Sequence, residues 1–153
     1  MSTQPCGADL IDRYLLDRGR RHFRGHHDGE YFFILSVGHE RLHVHFEVSG
    51  PDRDTVTVRI TPAYFFPAAD RDRLLAITER WNRECGQITT LVFESCDQSR
   101  VGVVAENSWP MAGTMPFDGF ADAADSTIRS AVELFTEVTA GACPLGTWLK
   151  DAG

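Results

Sequence analysis

The sequence predicts an α+β fold: one domain over residues 1–153, in the order α-β-β-β-α-β-β-α, with a mostly antiparallel five-stranded sheet and flanking helices. Three observations predict it. RLHVHFEV and TVTVRIT alternate apolar and polar residues, the period of strands with one buried face. Three other stretches space their apolar residues three and four apart, as amphipathic helices do. Short turns join the first three strands, which makes them an antiparallel meander.

The first helix is expected over Asp9–Arg18. Leu10, Ile11, Tyr14 and Leu15 share a face, and Gly19 is placed to end it. Asp28-Gly29 is a turn signal before a strand over Tyr31–Val37, which is apolar on both faces. A tight connection at Gly38-His39-Glu40 leads into RLHVHFEV. There Leu42, Val44, Phe46 and Val48 point inward, and Arg41, His43, His45 and Glu47 outward. Gly50-Pro51-Asp52 turns the chain into TVTVRIT, with Val56, Val58 and Ile60 inward. Helical spacing over Asp70–Cys85 gives a stripe of Leu74, Ala76, Ile77 and Trp81, with Gly86 as its stop. Strands follow over Thr89–Phe93 and Val101–Glu106, joined by a polar loop at Cys96-Asp97-Gln98-Ser99. SWPMAGTMPFDGF reads as an irregular linker, and Phe117–Val138 as the longest helix.

Composition narrows the function. A net charge of -7 argues against a protein that grips nucleic acid by its phosphates. No apolar run reaches the roughly 18 residues of a membrane span, and MSTQPCGADL lacks the marks of a secretory signal. The expectation is a cytoplasmic protein with reduced cysteines, bound to neither membrane nor nucleic acid. Cys6, Cys85, Cys96 and Cys143 form no C-x-x-C pair. Lys150 is the single lysine, an arginine-heavy usage that hints at a GC-rich, actinobacterial type of genome.

Certain residues, in this order, resemble the YbjN family, for which a role as bacterial sensory transduction regulators is suggested. The carrying segments are LLDRG, DGEYFF, ERWNRE, TTLVFESCDQSRVGVVAE and DSTIRSAVELF, with the Trp81-Asn82 pair the most specific. The resemblance spans about residues 8–140 and leaves 141–153 as a tail. It implies a fold similar to type III secretion chaperones, which often dimerise. It carries over no catalytic residue.

All six histidines lie between His22 and His45, among Arg18, Arg20, Arg21 and Arg24. His43 and His45, two apart on a strand, could hold a metal with a third ligand from His22, His26, His27, Glu47 or a neighbouring strand. The plainer reading is one polar strand face, where Arg41 and Arg59 would repel a cation. The arginines could take an anion, but Asp12, Asp17, Asp28 and Glu30 offset them. Cys85 ends a helix and Cys96 lies beside Glu94 and Asp97, settings that disfavour a thiolate. No Gly-rich phosphate loop or G-x-S-x-G elbow is present. Trp81 reads as core, and Asn82 as a side chain helping to end its helix near Gly86.

The candidate partner-binding residues are Trp109, Met111, Met115 and Phe117. They are adaptable apolar side chains in the linker, which could equally cap the core. The expectation is therefore a non-enzymatic protein-binding, chaperone-like or regulatory module. It would have no cofactor, no tightly bound metal, and a protein partner or a second copy (a homodimer) as its occupant. The alternatives are a metal- or small-ligand-binding sensor using the histidine-bearing sheet face, or an uncharacterised enzyme.

Overall fold

The computed structural model describes residues 7–26, 29–50, 54–111 and 115–140. The observed order is α1 (Gly7–Asp17), β1 (Phe23–Arg24), β2 (Glu30–Val37), β3 (Glu40–Ser49), β4 (Thr55–Pro62) and β5 (Phe66–Pro67). After a 3-10 turn at Ala68–Asp70 come α2 (Arg71–Glu84), β6 (Thr89–Glu94), β7 (Arg100–Pro110) and α3 (Phe117–Ala140).

The α+β architecture holds, but among the described residues the sheet has seven strands rather than five. The additional two, Phe23–Arg24 and Phe66–Pro67, are two residues long and cannot show a period of two. The sheet runs β1-β2-β3-β4-β7, with β4 and β5 following one another along one side of β7 and β6 on the other. Every pairing is antiparallel.

The alternation sorts side chains as the sequence predicts. Leu42, Val44 and Phe46 on β3, and Val56, Val58 and Ile60 on β4, are at most 2% exposed. They meet Ile11, Leu15, Phe120, Ala124, Ala131 and Leu134 from α1 and α3. Helix α2 packs on the same side, where Thr78 and Thr90 are both buried and Thr90 Oγ1 donates to the Thr78 carbonyl oxygen at 3.2 Å. The three helices of the described residues thus cover one face. The other face has no helix among the described residues.

Two corrections concern boundaries. The segment at 108–110 is not a linker: β7 runs on to Pro110, with Trp109 opposite Val56 and Pro110 opposite Thr55. Proline is tolerated there because it closes the strand, where its missing N–H breaks no ladder. Helix α2 ends because Cys85 adopts an extended conformation (φ -115°, ψ 118°), not through Gly86. The β2–β3 turn does require a glycine, since Gly38 has φ 62°. Gly102 is needed for space: a Cβ there would lie 2.2 Å from the Phe93 ring across the β6–β7 pair.

Candidate functional site

The uncovered face carries a row of side chains fixed by strand register. Phe23 lies opposite Phe32, Phe32 opposite His45, His45 opposite Arg59, and Arg59 opposite Glu106. Directly opposed residues share a face, so five strands contribute one side chain each to a continuous ridge. Beside it runs a second row of Ile34, His43 and Thr61. Between the two rows lies a groove of about 520 Å³.

Its electrostatics are mixed and largely satisfied. His45 Nε2 is 3.0 Å from Glu30 Oε2, and the His45 ring stacks on Phe32 with centroids 4.6 Å apart. Arg59 Nε donates to Glu106 Oε2 at 3.0 Å. Thr57 and Ser108 hydroxyls bond across β4 and β7 at 2.8 Å. His43 is exposed in the groove. The apolar members are open to solvent: Phe23 68%, Ile34 53% and Phe32 40% exposed.

The described histidines between His22 and His45 do not converge on one point. His22 sits beside Asp12 (3.8 Å) and against Tyr31, a core-face residue, whereas His45 is on the opposite face. His27 and Asp28 lie outside the described residues. Among the described residues, no three His, Cys, Asp or Glu side chains gather around a common point. Arg18 is engaged by Asp17 and Asp125, and Arg24 approaches Asp12 at 3.6 Å. Cys96 is exposed in the β6–β7 turn, and half-buried Cys85 contacts Ser130 at 3.9 Å.

The four linker candidates lie elsewhere. Trp109 points to the core face and packs edge-on against Phe120 at 5.8 Å. Its indole N–H is buried without an acceptor among the described residues. Met111 is buried, and its amide donates to the Asp54 carbonyl oxygen, extending the sheet ladder. Met115 and Phe117 are half-buried against the core, with the Arg13 guanidinium 4.0 Å above the Phe117 ring. The sequence missed Phe23, because its strand is too short to announce itself. The doubly apolar β2 did signal Phe32 and Ile34.

Fold and face together define a class: an α+β domain with three helices on one side of an open antiparallel sheet. Solved structures of that class include YbjN from E. coli, for which a role as a transcription regulator is proposed. It superposes with a TM-score of 0.72 at 13% identity, covering 94% of this chain and 100% of YbjN. An uncharacterized protein from Methanothermobacter thermautotrophicus superposes with a TM-score of 0.56 at 7% identity, over 90% of this chain and 99% of the other. The chain therefore has a YbjN-like fold. No protein-family model matches it, and neither does any curated protein. No helix of the described residues is long and apolar enough to cross a membrane.

Proposed function

We propose that the protein is a non-catalytic, regulatory binding module whose open sheet face takes a protein occupant, first of all a second copy of this chain. The supporting observation is the cluster of Phe23, Phe32 and Ile34 beside the groove, on a face that no helix of the described residues covers. Single exposed apolar residues are ordinary, but a contiguous group bordering a recess has the composition of an interface. Self-association fits because projection and recess lie on one surface. A twofold axis would set each copy's Phe23 and Ile34 against the other's groove.

A non-catalytic role is supported by how the polar side chains are used. His45 is held by Glu30 and Phe32, and Arg59 by Glu106, so both serve the sheet. The regulatory reading draws on the likeness to YbjN. Regulation through protein rather than nucleic acid is supported by Glu30, Glu47 and Glu106, which interrupt the basic residues of this face. Chaperone-like holding of another protein's extended segment is the other use the same face offers.

Light scattering over a dilution series tests the proposal. The expected mass is twice the 17.1 kDa of one chain, falling to one chain in Ile34→Glu with an unchanged thermal midpoint. A monomeric wild type at every concentration would sink the self-association. If no partner sensitive to Ile34→Glu were then recovered from the host, the binding-module reading would fall with it.

A further inference from the structure

On the helix-covered side, away from the open face, a cleft of about 300 Å³ opens between the β2–β3 turn and the C-terminal end of α3. Leu42, Val132 and Phe135 give it an apolar wall. Its polar groups gather in one place. The Tyr64 hydroxyl bonds Thr139 Oγ1 at 2.8 Å and the Glu40 carboxylate, and all three residues line the cleft. Burial, opposed by the Thr139 contact and reinforced by Glu40, raises the Tyr64 phenol above its ordinary range. Tyr64 therefore stays protonated, donating to Glu40 while Thr139 donates to it.

This arrangement has the form of a ligand site: an apolar recess at the small end of the usual range (about 300–1,000 Å³), with a few convergent polar groups. The charge selects among ligands. A carboxylate offers two oxygens and about four lone-pair sites, of which Tyr64 takes one. No arginine or histidine among the described residues pairs with Glu40. An ammonium group would meet a half-buried carboxylate there, with the Tyr64 ring beside it. A carboxylate ligand would meet repulsion. We propose that this cleft binds a small apolar amine, its hydrocarbon or single ring against Leu42, Val132 and Phe135 and its ammonium group on Glu40.

The site is independent of the open face, so its failure would leave the binding-module reading untouched. The experiment titrates the full chain with 2-phenylethylamine and, in parallel, with 3-phenylpropionate, which is similar in size and opposite in charge. Binding is read by ligand-observed NMR or calorimetry. The amine should saturate and bind at least about tenfold more tightly than the acid, the scale of one charge-assisted contact. Val132→Phe, which fills the cleft, should abolish binding with its thermal midpoint kept. Glu40→Gln should remove the preference for the amine. Three results would overturn the proposal: no saturable binding of the amine, equal binding of the acid, or amine binding that survives Val132→Phe.

Discussion

Asn82 does for strand β6 what a neighbouring strand would do. Its Oδ1 accepts the Thr90 amide at 2.7 Å, and its Nδ2 donates to the Thr90 carbonyl oxygen at 2.8 Å. A net hydrogen bond contributes about 0.5–1.5 kcal/mol, so Asn82→Ala should cost about 1–3 kcal/mol in a denaturant melt. Asn82→Asp keeps the acceptor and loses the donor, and should fall between Ala and wild type. Trp81 differs from expectation. It is half-buried rather than core, and its indole N–H donates to Glu137 Oε1 at 3.2 Å. Trp81→Ala should therefore cost about 2 kcal/mol, short of the roughly 3–5 of a fully buried aromatic. A loss above that range in the same melt would show that Glu137 and its partner Arg80 depend on the ring. The pair stood out in the sequence, but its partners did not. Thr90 lies eight residues on and Glu137 more than fifty, so neither bond has a local signature.

Helix α1 is tied to α3 by Asp125. The Tyr14 hydroxyl donates to Asp125 Oδ1 at 2.6 Å, and Arg18 Nη2 lies 2.7 Å from Oδ2. Burial works against the Asp125 carboxylate, but the Arg18 and Tyr14 hydrogen bonds outweigh it and hold its pKa below the ordinary value. A depressed folded pKa stabilises above the unfolded value, about 3.9, and that contribution is lost as pH falls through the folded one. Thermal melts from pH 7 to pH 2 should show Asp125→Asn less stable at neutral pH, with the gap to wild type closing below about pH 4. A gap independent of pH would contradict the assignment. At this scale the long elements were legible. β3 and β4 alternate cleanly, and α3 keeps Phe120, Ala124, Ile128, Ala131 and Phe135 on one buried stripe. What escaped was set by pairing across the sheet. The extension of β7 to Pro110 follows from Val56 and Thr55 opposite it, not from SWP itself.

At the scale of the whole molecule, the sequence showed that β2 is apolar on both sides, but not that all three helices would choose the same side of the sheet. That choice depends on packing between α1, α3 and the inward residues of β3 and β4, which no local pattern encodes. It leaves Phe32 and Ile34 on the surface, and moves attention from Trp109 and Met111 to the opposite face.

The sheet has two lateral edges, and they are treated unequally. On β6, Asn82 occupies Thr90, and Arg71 holds Glu94 at 2.5 Å at the far end of the strand. On β2, β1 covers only Tyr31 and Phe32, and no described strand pairs on that side beyond them. An object with one adhesive end can pair with a copy and stop; an object with two can go on adding units indefinitely. The Asn82 side chain, in the polymer chemist's sense a chain terminator, closes the Thr90 backbone pair to a strand from another copy and leaves β2 as the edge from which a sheet could grow. Sedimentation at rising concentration should show wild type levelling off at a finite size, while Asn82→Ala drifts to ever larger species. Ile34 projects from the open face and not along an edge, so adding Ile34→Glu should leave that elongation unchanged while it abolishes face-to-face pairing.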